Sequence, residues 1–88
     1  MGMSERRTTD QSVSTTLRDI LQRRGISTRD IARRMSRQPG TISKKLNAIS
    51  PWTAGELLEF ADALRVTAIH LMHEIEQDWK TTAQIPGD

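Results

Sequence analysis

Apolar residues along this chain return at three- and four-residue intervals, in five separate stripes. Val13, Leu17, Ile20 and Leu21 make the first; Ile31, Ala32 and Met35 the second; Ile42 and Leu46 the third. Leu57, Leu58, Phe60, Ala61 and Leu64 make the fourth, and Ile69, Leu71, Met72, Ile75 and Trp79 the fifth. Such spacing gathers side chains on one face of a helix, and no stretch alternates as a half-buried strand does. The pattern predicts an all-α fold, a compact domain of five helices.

Punctuation between the stripes agrees. The first helix is expected from near Ser14 to Arg24, with Gly25 as its left-handed stop. Ser27, with Asp30 in the capping-box position, opens the second, which ends near Met35 before the turn Ser36-Arg37-Gln38. Pro39 suits the first position of the third helix, where its missing N–H costs nothing, and makes Gln38 the N-cap. Gly40 behind it lets backbone come close to a ligand. The third helix runs to about Ala48. A loop follows, in which Trp52 is expected to anchor against the third and fourth helices. Thr53 with Glu56 makes another capping box, and Thr67 opens the fifth helix. Residues 1–12, with Arg6 and Arg7, read as a flexible N-terminal arm, residues 13–80 as the folded domain and residues 81–88 as a flexible tail.

Eighty-eight residues bury one modest core, and with 3% aromatic residues that core is aliphatic. Absence of cysteine removes disulfides, thiolate metal sites and cysteine nucleophiles together. Neither a bilayer-spanning apolar run nor a signal-peptide pattern is present, which predicts a cytoplasmic protein of a bacterium or a phage-infected host.

Charge changes the picture. Residues 14–47 hold nine basic residues against Asp19 and Asp30, a balance of +7, whereas residues 48–88 hold seven acids against Arg65 and Lys80, a balance of −5. A molecule so divided turns one end towards a polyanion. The excess coincides with the stretch Thr28–Asn47, two short helical patterns separated by a break. Two short helices with a basic outer face suit a DNA major groove.

Ser27–Asn47, followed by PWTAGELLEFADALRV, resembles the Cro/C-type repressor (XRE-like) family of helix-turn-helix domains, and is similar to small regulators of actinobacteria and their phages. The likeness covers roughly Leu17 to Met72. Ala32 matches the small residue that lets the two helices cross closely, and Ile42 the buried residue of the recognition helix. Two positions depart. Ser36 stands where the family has glycine in a left-handed conformation, at a cost of about 1 kcal/mol. Arg37 stands where an apolar residue is common and has to reach outward.

The resemblance implies sequence-specific binding of double-stranded DNA by a transcriptional regulator. It assigns base contacts to Gln38, Pro39, Gly40, Ser43, Lys44 and Asn47, and phosphate contacts to Thr28, Arg29, Arg37, Thr41 and Lys45. Gln38 is suited to adenine and Lys44 to guanine O6 or N7. Neutralising about six phosphates gives a salt slope near −5. Arg18, Arg23 and Arg24 read as surface charges of the first helix. The chain's length fits a Cro-like phage regulator, a minimal repressor or an antitoxin without its toxin-binding half. Such domains usually dimerise on a palindrome, and Ile69, Met72, Ile75 and Trp79 on the fifth helix are the candidate dimer surface.

An enzyme is a poor fit. His70, His73 and Glu74 (HLMHE) lack the order of a zinc-protease helix, and no nucleophile is spaced with a base. No metal, cofactor or small-molecule ligand is expected. The alternative is a protein-interaction module on the same fold, against which the charge division argues.

Overall fold

The computed structural model describes residues 8–83 and contains five helices: α1 Thr9–Arg24, α2 Thr28–Arg34, α3 Pro39–Leu46, α4 Ala54–Ala63 and α5 Ala68–Ala83. No strand occurs among the described residues, in keeping with the all-α expectation. Helix α1 packs along α5, α2 and α3 pack on each other, and α4 closes the group against α2 and α5.

Four of the five starts are capped by the side chain of the residue immediately before the helix. Thr8 forms a full capping box with Gln11, its Oγ1 accepting from the Gln11 N–H at 3.1 Å while its own N–H donates to Gln11 Oε1 at 2.9 Å. That box starts α1 at Thr9, well before Ser14, and Ser12 and Ser14 are buried against the rest of the fold. Residues 9–12 therefore belong to the folded unit rather than to an arm; Arg6 and Arg7 lie outside the described residues. Ser27 caps α2 through the Asp30 N–H, Thr53 caps α4 in a reciprocal box with Glu56, and Thr67 accepts from the His70 N–H at the start of α5. At its other end α5 runs to Ala83, three residues beyond the expected limit of the domain.

Helices α1 to α4 all end in one way. Gly25, Ser36, Ala48 and Arg65 take φ of 68°, 58°, 59° and 61°, and the N–H groups of each and of its successor fold back onto the last turn. In α2, the Ser36 N–H bonds the Arg33 carbonyl at 3.0 Å and the Arg37 N–H the Ala32 carbonyl at 2.8 Å, which satisfies two otherwise orphaned acceptors. Only Gly25 adopts this conformation without steric cost. Ser36 is exposed and makes no side-chain bond among the described residues, so Ser36→Gly is expected to raise stability by about 0.5–1 kcal/mol. A urea midpoint that moves up at unchanged slope is the expected reading.

The core holds Leu17, Ile31, Ile42, Phe60 and Leu71, all at most 1% exposed, surrounded by Ile20, Leu21, Ala32, Met35, Leu46, Ala61, Leu64 and Ile75. Each large side chain buried there contributes about 1.5–3 kcal/mol. On α4 the buried phase is Leu57, Phe60, Ala61 and Leu64; Leu58 falls outside it and is 58% exposed, contrary to its expected place in the core. No helix among the described residues is long and apolar enough to cross a membrane.

Candidate nucleic-acid interface

Helix α3 is held by its inner face, and the grip explains what its outer face has left to offer. Ile42 and Leu46 are buried, and Lys45, one residue before Leu46 and three after Ile42, shares their side of the helix. Its ammonium lies 3.0 Å from Glu56 Oε1 on α4 and donates to the Pro51 carbonyl at 2.9 Å. The carbonyl of the same residue accepts from the Ser14 hydroxyl of α1 and, at 3.1 Å, from Trp52 Nε1. Trp52 in turn meets Phe60 edge-on at 5.5 Å, so the loop is anchored against α3 and α4 as expected. Lys45 thus ties α3 to α1, to α4 and to the loop, and is only 9% exposed. Its expected role as a phosphate contact is corrected: a buried, ion-paired ammonium cannot reach a groove. The helical phase of Ile42 and Leu46 carried the signal that a count of charges missed.

Burial pushes the Glu56 carboxyl up, but hydrogen bonds from the Thr53 backbone and from Lys45 outweigh it and hold the group below its ordinary 4.5. The stability it contributes is complete above that ordinary value and is lost as pH falls through the lower, folded one.

Several arginines of the basic half are likewise engaged. Arg33 and Arg34 both reach Asp30, at 3.0 and 3.1 Å, and the Arg33 guanidinium leads in holding that carboxyl below its ordinary range. Arg23 bridges Asp19 and Glu74, and Arg24 donates to the Leu64 carbonyl at 3.0 Å. Arg37 reaches outward, as its place in the turn demands, and donates to Glu59 of α4 at 2.8 Å through Nη2 and 3.2 Å through Nε. The acids of α4 therefore return to neutralise Arg37 and Lys45, and the division of charge along the chain overstates the charge on the surface.

On the outer face, Gln38, Pro39, Gly40, Thr41, Lys44 and Asn47 are exposed and Ser43 is half-buried. Gln38 occupies the N-cap position of α3 without using its side chain to cap, and Pro39 takes the first helical position. Lys44, and Arg29 at the start of α2, meet no carboxylate within ion-pair distance among the described residues. Thr28 is half-buried beside them. Asn47 is less free: its Oδ1 accepts from Arg18 Nη1 at 3.1 Å and its Nδ2 donates to the Ser43 carbonyl at 2.9 Å. The structure thus leaves Thr41, Ser43, Lys44 and Asn47 on the part of α3 not taken by Ile42 and Leu46, with Gln38 at the helix start, and brings Arg18, read from sequence as a mere surface charge, to Asn47 at the helix end.

Of the apolar residues expected on a dimer surface, Ile75 is 5% exposed and packs inside the core, a correction imposed by its place opposite α1. Ile69, Met72 and Trp79 are 83%, 47% and 36% exposed and border an apolar groove of about 640 Å³ with Thr9 and Val13 of α1. His70 Nε2 lies 2.9 Å from Glu74, the carboxylate that also holds Arg23. No group of three potential metal ligands forms among the described residues.

No known protein-family model and no curated protein matches the sequence. Among solved structures, two of the clp gene regulator ClgR from Corynebacterium glutamicum are similar in fold. One matches at 16% identity with a TM-score of 0.80, over 90% of this chain and 84% of that one. The other matches at 17% identity with a TM-score of 0.77, over 89% and 99% of the two chains. With most of both chains superposed, this chain has the helical fold of that regulator.

Proposed function

We propose that this chain is a DNA-binding transcriptional regulator that lays α3 in the major groove of a two-fold operator, in the manner of a Cro-like or minimal repressor. The observation that carries the reading is the contrast between the two faces of α3. One face is locked to α1, α4 and the loop, and the other presents Gln38 and Lys44 without side-chain partners among the described residues, beside a Ser43 hydroxyl whose contact is a 3.5 Å bond accepted from Asn47 Nδ2. Pro39 and Gly40 add close approach without hydrogen bonds, and Asn47 reads a base edge or holds phosphate from the end of the helix. Thr28, Arg29 and Thr41 contact phosphate, with Arg37 exchanging Glu59 for phosphate on binding. The fold shared with a gene regulator supports the same reading.

Two or three cations per protomer reaching phosphate give a salt slope of about −2 to −3 for a single domain, and twice that for a dimer. Fluorescence anisotropy on a random duplex between low and moderate salt measures it. A slope near zero contradicts the proposal.

The dimer is formed by a second copy seated on the α1–α5 groove. Residues 69, 72, 73, 76 and 79 make one stripe on α5. Two such helices laid antiparallel about a two-fold axis bring Ile69 near the partner's Trp79 and His73 near the partner's Glu76. The stripe can therefore pair with itself, apolar ends together and His73 beside a carboxylate, as an isologous contact requires. Ile69→Glu, at a position 83% exposed, is expected to leave the melting temperature within about 2 °C and to convert the dimer to monomer in sedimentation. An unchanged sedimentation coefficient assigns the dimer elsewhere.

A further inference from the structure

Between the helices of the reading unit lies an open hollow of about 460 Å³, walled by Arg18 of α1, Ser27 and Thr28 of α2, and Ser43 and Asn47 of α3, with Leu46 in its apolar part. Three helices thus contribute polar side chains to one concavity. Among the described residues no carboxylate lines it. Asp19, next to Arg18 in the chain, is turned to Arg23 at 3.3 Å, and Asp30 of α2 is taken by Arg33 and Arg34.

Arg18 is the cation of this hollow and meets no acid among the described residues. Its one bond is from Nη1 to Asn47 Oδ1 at 3.1 Å. A guanidinium has five N–H donors in a fixed fork, so four remain for another acceptor. The Asn47 bond does two things. It draws the long side chain across from α1 to the end of α3, and it orients the amide so that Nδ2 faces Ser43. A charged fork with two hydroxyls around it, held at the end of a reading helix, matches a tetrahedral dianion or monoanion better than a base edge.

We infer that this hollow seats a phosphate group, with the Arg18 guanidinium as its charge partner, the Thr28 and Ser43 hydroxyls as neutral donors, and Asn47 as the residue that positions Arg18. Taken as a phosphate of the DNA backbone, the seat rests on the function proposed above and makes α1 a third element of the interface. The same chemistry also accepts free inorganic phosphate.

The test compares wild type with Arg18→Gln, which keeps a donor but loses charge, and Arg18→Lys, which keeps charge but loses the fork. Anisotropy on a duplex is measured across salt concentration, with thermal melts as a check on folding. Arg18→Gln is expected to weaken binding to all duplexes alike and to make the salt slope shallower by about 0.9 for each site, whereas Arg18→Lys keeps the slope. A wild-type slope retained by Arg18→Gln overturns the inference. In parallel, inorganic phosphate is titrated into each protein and followed by amide chemical shifts. Shifts at Thr28, Ser43 and Asn47 that vanish in Arg18→Gln support the seat even if wild type fails to bind any duplex, in which case only the DNA reading falls. Absence of both duplex binding and phosphate-induced shifts at these residues overturns the seat as well.

Discussion

Glu56→Ala is expected to lower the stability of this domain by about 3 kcal/mol, because it leaves the Lys45 ammonium enclosed with a single carbonyl for a partner. The Lys45 and Glu56 side chains are 11% and 10% exposed, so water offers little replacement for the carboxylate 3.0 Å away. The same substitution removes the acceptor of the Thr53 N–H at 2.9 Å and with it half of the α4 capping box. For a domain of this size the melting temperature falls by roughly 15 °C. Circular-dichroism melts check it, and a fall under about 4 °C contradicts the role assigned to the pair. Lys45→Met combined with Glu56→Gln recovers most of the loss, since a pair removed together leaves no unmatched charge. The same pair makes the wild-type melting temperature decline as pH falls below the ordinary carboxyl value of 4.5, where the depressed Glu56 carboxyl takes up its proton. Glu56→Gln flattens that part of the profile.

Lys44→Ala is expected to weaken binding to the preferred operator by tenfold to a hundredfold, about 1–3 kcal/mol, and to relax base preference at one position of each half-site. Lys44 stands on the outer face of α3, exposed and without a carboxylate partner among the described residues, and its removal touches no part of the core. Arg29→Ala provides the contrast: affinity falls equally on preferred and scrambled duplexes, and the salt slope loses about 0.9 per site. Competition anisotropy with both duplexes separates the two behaviours. Equal losses on both duplexes for Lys44→Ala make it a phosphate contact and remove it from the readers.

Both predictions depend on the phase of α3, and that phase is where sequence reading succeeds and fails. Local signals were legible: the caps at Ser27, Thr53 and Thr67, the stop at Gly25, Pro39 at the first position of α3, and the left-handed Ser36 all stand where their chemistry puts them. The five apolar stripes were legible because burial on helices repeats within a few residues. Pairings between distant residues were not. Arg37 and Glu59 are 22 positions apart, and nothing local to either says that α4 turns its acids back onto the turn. Lys45 was misjudged by its type, although its position between Ile42 and Leu46 already placed it inward. Leu58 and Ile75 were misassigned for the opposite reason, since apolar character alone does not say which of two adjacent stripes faces the core. The start of α1 was missed because Thr8 and Gln11 form their box ahead of buried serines, where no apolar stripe announces a helix.

Within the proposed interface these errors share one direction. Counting charges made the basic half of the chain look uniformly available, whereas the fold spends Arg23, Arg33, Arg34, Arg37 and Lys45 on carboxylates. What remains for nucleic acid is a short ridge of polar side chains with few cations around it. On the proposed function, affinity from phosphates is then expected to be moderate, with specificity expected from Gln38, Ser43 and Lys44 together with sequence-dependent operator shape.

The most direct test is selection of bound duplexes from a random pool at low salt, carried out in parallel with wild type and with the Gln38→Ala, Lys44→Ala double variant. Wild type is expected to enrich a two-fold motif whose half-sites lie about one helical turn apart, and the double variant to lose preference within the half-sites. A pool that stays random with wild type, at salt low enough to favour any phosphate contact, contradicts the proposed function.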